Sequence, residues 1–294
     1  MRWYLYLLLL ASSTASAEQI RIPWKGDYAH NADATYSADN KYRSGLSKNF
    51  LNGAPEENGK IQKDGYLLVE VRKPKRKDDP LPFVVLMHGC TGLTPLVAKW
   101  ADEKSGAFLS QGYGVLILNS FGSRNVDKVC GDGNYHWGLR RAEDAYSALN
   151  YLIENKIAKP DEIYVMGRSN GGTAALMIGN ALQVRSHQYR FAGVFAVSPG
   201  CAGMEKFKFA IPTTIFIGDR DQANDPKVCE RLKDSGSVRI VLYKGVHHGY
   251  EDKTRPYRQF GWQFEYNAKA DKETIEQTLA SMKARDFQWG VESR

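Results

Sequence analysis

Residues Tyr164 to Gly172 read YVMGRSNGG, and the fold turns on how this stretch is read. The pattern GxSxG centres on Ser169, between an apolar run ending at Met166 and a helical pattern beginning near Asn170. A sharp strand-to-helix turn strains the backbone of its central residue and brings neighbouring chain very close. Residues without a Cβ are therefore needed on both sides, and Gly167, Gly171 and Gly172 supply them. Such a turn lifts Oγ out of a sheet to the N-terminus of a helix, whose dipole and N–H groups favour developing negative charge. The motif alone is short enough to arise by chance, so the flanking sequence must provide its context.

That context is a series of short apolar runs. GYLLVEV at 65–71 alternates as a half-exposed strand does, and PFVVLMHG at 82–89 is a continuous apolar run stopping at glycine. GYGVLILNSFG (112–122), IYVMG (163–167), FAGVFAVSPG (191–200), IPTTIFIGD (211–219) and VRIVLYKG (238–245) repeat that design. Continuous runs of this length predict parallel strands buried on both faces. Between them, Leu139, Ala142, Tyr146, Leu149 and Ile153 recur at helical spacing, as do Ile275, Leu279 and Met282 near the C-terminus. Strands alternating with helices predict an α/β fold with a mostly parallel central sheet and helices on both faces. The ligand site of such a sheet lies at the carboxyl ends of its strands.

The residues at those ends carry chemistry. HGCTG at 88–92 follows the strand ending at Met87, where a backbone N–H can meet a carbonyl oxygen. Asn170, directly after Ser169, supplies a second N–H, so Cys90 and Asn170 are the expected oxyanion donors, acting through the main chain. His88 is expected to hydrogen-bond locally and hold this loop. IFIGDRDQANDP offers Asp219, Asp221 and Asp225; the loop residue Asp221 is the preferred triad acid, Asp219 the alternative and Asp225 a turn former. YKGVHHGYED ends the last strand with His247 and His248, only one of which can face Ser169 from extended backbone. The chain order Ser, Asp, His is that of an α/β-hydrolase triad.

The remaining composition bounds compartment and partners. MRWYLYLLLLASSTASAEQ joins Arg2, an apolar run from Trp3 to Ala11 and small residues ending at Ala17, which predicts a signal peptide over 1–17. The apolar run is about half of the roughly 20 residues that a spanning helix needs. Cleavage after Ala17 lowers the formal charge from +7 to +6 by removing Arg2. The densest basic cluster, VRKPKRKDDP, is a Pro-containing turn ending in two aspartates, so nucleic acid is excluded as a partner and no membrane association is expected after cleavage. Residues 18–60 are polar and aperiodic and are read as a loosely packed extension, with one domain over 61–294. Cys90, Cys130, Cys201 and Cys229 lack metal-type spacing, and in an exported chain they are expected to pair. Cys201 and Cys229 each follow one of two strands expected to be neighbours, which leaves Cys90 for Cys130.

VVLMHGCTGL, NSFGSR, YVMGRSNGG, SPGC, GDRD and YKGVHHGYED together resemble the dienelactone hydrolase family of α/β hydrolases, over roughly the last four-fifths of the chain. The resemblance implies that the histidine followed by a small and then an aromatic residue is catalytic. That selects His248, before Gly249 and Tyr250, and it likewise selects Asp221. One departure is that the founding members use Cys where Ser169 stands. The reading is therefore an exported serine hydrolase of small esters or lactones that needs no metal or organic cofactor. Only ten residues, CAGMEKFKFA, occupy the place where many relatives insert a cap, so no large lid domain is expected. Walls of the site are expected from 121–138, with Phe121, Tyr135 and Trp137, and from 249–266, with Tyr250, Tyr257, Phe260 and Trp262. Arg124 and Tyr250 are the candidate substrate contacts; Arg124 and Arg168 either make structural hydrogen bonds or ion pairs or, as the resemblance suggests, favour a carboxylate-bearing substrate. The alternatives are a serine peptidase or acyl-peptide hydrolase and, more remotely, a non-catalytic binding protein on this scaffold.

Overall fold

The computed structural model describes residues 16–25, 56–57, 60–61, 64–75, 78–124, 126, 128–130, 134–285 and 290–294. Its sheet strands are β1 (Ser16–Lys25), β2 (Asp64–Lys73), β3 (Leu81–Met87), β4 (Gly114–Asn119), β5 (Ala158–Arg168), β6 (Gly193–Val197), β7 (Phe209–Gly218) and β8 (Gly236–Tyr243). A hairpin follows, β9 (Tyr257–Gln259) and β10 (Trp262–Phe264), and then a last sheet strand, β11 (Gly290–Ser293). Among the described residues the main sheet has nine strands, in the order β1-β2-β4-β3-β5-β6-β7-β8-β11. β1 and β2, and β2 and β4, run antiparallel, and every other neighbouring pair is parallel.

Alternation along the buried strands sends side chains into two cores. Phe83, Val85 and Met87 of β3 enter one, against α2 (Asn134–Glu154) and α3 (Asn170–Gly179), while Val84 and Leu86 enter the other, against α1 (Pro95–Ser110) and α5 (Ala268–Ala284). A short helix, α4 (Pro226–Glu230), follows β7. This is the α/β-hydrolase fold, its sheet covered by helices on both faces. The connection from β6 to β7 is a short turn, so no cap domain intervenes there.

The extension read over 18–60 is corrected at its start. Residues 18–25 form most of β1, with Ile22 and Trp24 buried and Arg21 and Pro23 exposed, so the sheet begins inside the segment taken as loosely packed. Trp24 lies flat across β2 because Gly65 has no side chain there; a Cβ on Gly65 would sit 2.1 Å from the indole. The expected signal peptide overlaps the described residues only at Ser16 and Ala17, the exposed first residues of β1. Residues 26–55 of the extension lie outside the described residues.

Candidate active site

Ser169 stands at the turn from β5 into α3 with φ 51° and ψ −121°, a region non-glycine residues avoid. The glycines that permit this turn are explained by contact. A Cβ on Gly167 would lie 2.1 Å from the Gly171 carbonyl oxygen, and one on Gly171 would lie 2.3 Å from that of Met87. The Ser169 amide donates to the Val197 carbonyl at 2.8 Å, fixing the elbow to the neighbouring strand.

From this elbow a hydrogen-bonded chain crosses three strand ends. Ser169 Oγ lies 3.1 Å from His248 Nε2, and His248 Nδ1 lies 2.7 Å from Asp221 Oδ2. The other Asp221 oxygen accepts from the Ala223 and Asn224 amides at 3.0 and 2.9 Å, so the carboxylate is buried but fully engaged. Asp219 accepts instead from the Gly245 amide at the exposed turn after β8, and Asp225 caps α4 through the Lys227 amide. His247 is half-buried and lies outside the wall of the site. The structure thus brings together Ser169, His248 and Asp221 and separates both neighbouring alternatives from them.

The loop after β3 approaches Ser169 closely: a Cβ on Gly89 would lie 3.7 Å from the Ser169 Cβ. Cys90 follows Gly89, and Asn170 is the first residue of α3, where helical N–H groups have no acceptor within the helix. Cys90 borders the cavity beside Ser169, and Asn170 follows Ser169 directly at the start of α3. His88 holds the loop as expected: Nδ1 lies 2.8 Å from the Gly89 carbonyl oxygen and the ring meets Phe121 edge-on. Burial, reinforced by the charge of Arg141, keeps the His88 pKa well below the usual histidine range.

Arg141 is the residue that sequence reasoning missed. Fully buried in α2, it donates 2.6 Å to the Asn170 side-chain oxygen and 2.5 Å to the His88 carbonyl, with its guanidinium over Phe121. One side chain therefore ties the loop after β3 to the first residue of α3. Burial pushes its pKa down to about 9, which still leaves it charged at neutral pH. Arg141 and Asp144 stand at i,i+3, a spacing equally suited to an exposed ion pair, so nothing in the sequence marks Arg141 as buried.

The candidate substrate contacts are corrected. Arg124 is buried, donates through both terminal nitrogens to Asp144 at 2.7 Å, and stacks over Trp24. Tyr250 is fully buried, its hydroxyl 2.8 Å from Thr274 Oγ1. Neither borders the cavity. Arg168 does border it, yet both its terminal nitrogens are held by Asp252 at 2.5 and 2.9 Å, so it makes the structural ion pair that is one of its two readings and offers no free charge to a carboxylate.

A cavity of about 250 Å³ opens over Ser169. Its walls are the loop and first turn of α1, including Leu96 and Val97, and the hairpin β9–β10. The expected wall over 249–266 is therefore present. Among the described residues of 121–138 it is Cys130 that reaches the cavity, while Phe121 packs beneath the loop and the Tyr135 and Trp137 side chains lie outside the described residues. Cys130 is bonded to Cys90, and Cys201 to Cys229, so both expected pairings form.

Residues 100–260 match the model of the prolyl oligopeptidase family, peptidase S9. The chain belongs to that family. The match runs from within α1 to the tip of the hairpin and includes Ser169, Asp221 and His248. Dipeptidyl aminopeptidase BIII of Pseudoxanthomonas mexicana is 29% identical over 108 residues, which is 34% of this chain and 14% of that protein. The chain spans about a seventh of the length of the curated relatives it matches. Among solved structures, a dienelactone hydrolase-like promiscuous phosphotriesterase from metagenomic libraries superposes with TM-score 0.56 at 13% identity, covering 92% of this chain and 98% of that one. The hyperthermophilic esterase of the archaeon Pyrobaculum calidifontis gives 0.53 at 16%, covering 94% and 85%. The dienelactone hydrolase resemblance therefore holds at the level of fold, while family membership in sequence is with the prolyl oligopeptidases. This chain therefore carries a Ser-His-Asp arrangement on an α/β-hydrolase fold.

Proposed function

We propose that this prolyl oligopeptidase family member is an exported hydrolase that cleaves small esters or lactones through an acyl-enzyme. The observation that carries the reading is the unbroken chain from Ser169 Oγ through His248 to Asp221, opening on a cavity of about 250 Å³. That volume takes a small acyl group. His248 accepts the Ser169 proton as Oγ attacks the carbonyl carbon, and Asp221 stabilises the imidazolium. The Cys90 and Asn170 amides hold the oxyanion. His248 then protonates the departing alkoxide and afterwards deprotonates the water that releases the acid. Export is supported by the N-terminal pattern and by two disulfides, which suit an oxidising compartment.

A second reading, peptide or aminoacyl amide hydrolysis, is favoured by the family and by the dipeptidyl aminopeptidase relative. Hydrolysis of p-nitrophenyl esters of increasing chain length, beside lactones and peptide anilides, separates the two. Short esters or lactones turned over with anilides inert is the expected result. Anilide cleavage at equal or greater kcat/KM would replace the ester reading with the peptidase one.

A further inference from the structure

The cavity has one wall whose sequence is locally unfavourable. Tyr257 pairs with Phe264 and Gln259 with Trp262, so these four side chains share one face of the hairpin, and all four border the cavity. The face is latched to the acid loop by the Gln263 amide, which donates to Gln222 Oε1 at 2.8 Å. It is pressed on the triad by Phe264, whose ring meets His248 edge-on at 5.3 Å. The two residues at the tip are Phe260 and Gly261, with φ 54° and 82°. Two successive positive φ values make a type I′ turn, whose first position favours Asn, Asp or Gly.

Phe260 thus adopts a backbone conformation that its side chain disfavours, and it is 51% exposed. A large apolar ring in water and an L-residue at positive φ both oppose folding at the same position. Its ring meets Trp262 at 5.8 Å and 64°, leaving an aromatic corner at the cavity mouth. Opposite stand Leu96, Val97 and the Cys90–Cys130 disulfide. The charged pair on this wall, Arg168 and Asp252, is mutually satisfied. What this mouth fits is flat, apolar and uncharged.

We infer that Phe260 and Trp262 recognise an aromatic ring on the substrate, making neutral aryl-bearing esters the preferred class. This rests on the ester reading above and deepens it. The test is Phe260→Asn, which creates Asn-Gly, the sequence a type I′ turn favours. Ethyl phenylacetate and ethyl butyrate, whose leaving group carries no ring, are compared by pH-stat. The expected result is a fall of roughly tenfold in the ratio of kcat/KM for the first over the second, the size of a lost aromatic contact, with Tm equal or higher. Phe260→Tyr should restore the ratio. An unchanged ratio, or a loss accompanied by a lower Tm, would overturn the inference, because Phe260 would then serve the fold or nothing. Calorimetric titration of ethyl phenylacetate into Ser169→Ala, with and without Phe260→Asn, reads the ring contact without turnover. Affinity that falls with Phe260→Asn supports the contact even if the wild-type chain hydrolyses no ester, and equal affinity refutes it.

Discussion

At Ser169 the strained elbow has an identifiable return: the side chain projects to His248, while Gly167 and Gly171 let two stretches of backbone touch. Ser169→Ala should lower kcat on an accepted ester by at least about a thousandfold with Tm unchanged, and His248→Ala should match it. His247→Ala should keep most activity; equal losses from the two histidines would contradict the 3.1 Å contact that distinguishes them. Arg141 acts through others. Arg141→Ala should lower kcat by roughly tenfold to a hundredfold with little change in KM, since an oxyanion donor is worth about 3 kcal/mol and here is loosened, not removed. Arg141→Lys should recover less than half of that loss, because a single ammonium cannot span Asn170 and His88 as a guanidinium does. His88 gives a pH signature. Its pKa is depressed in the folded state, so the unfolded chain binds a proton that the native chain refuses. Stability from keeping His88 neutral is full above the unfolded value of about 6.5 and falls as pH drops below it. His88→Asn should therefore flatten the decline of Tm between about pH 7 and pH 5 relative to wild type.

Among the elements, the loop after β8 is held by charges that sequence alone presents as ordinary surface residues. Glu251, three positions past His248, accepts from the Trp100 indole at 3.0 Å and pairs with Lys104 at 3.2 Å; Lys104 also binds Asp271 at the start of α5. These groups are buried, and together they clamp α1, α5 and the histidine loop. Lys104→Met should destabilise the protein by about 3–5 kcal/mol, since it leaves two carboxylates buried without their cation. Urea unfolding measures this, and a change below about 1 kcal/mol would show that water reaches the site.

For the molecule as a whole, the question is where the domain starts. β1 pairs with β2 along its full length, and Trp24 stacks on Arg124 of the turn after β4, which is paired in turn with Asp144 of α2. Trp24→Ala should cost about 3–5 kcal/mol. If the chain is exported as proposed, its mature form should begin at Glu18 by N-terminal sequencing, with Ile20, Ile22 and Trp24 retained to cover the first sheet face. A mature N-terminus beyond Lys25 would remove this strand and contradict that boundary.

Sequence by itself determined the α/β class, seven of the sheet strands and the order of the triad, because buried parallel strands leave apolar runs and the chemistry sits where each run stops. It also singled out Cys201–Cys229 through strands expected to be neighbours, and Cys90–Cys130 as the pair that remained. β1 was not legible there, since its alternation is confined to Ile20, Ile22 and Trp24 and an exposed edge leaves the other positions polar. The roles of the arginines were decided only by tertiary structure. Arg124, Arg141 and Arg168 are alike as sequence, and each is defined by a partner 20 to 84 residues away: Asp144, Asn170 and Asp252. A guanidinium has the same charge wherever it lies; whether it meets substrate, braces a loop or neutralises a buried carboxylate depends on which acceptors folding brings within reach.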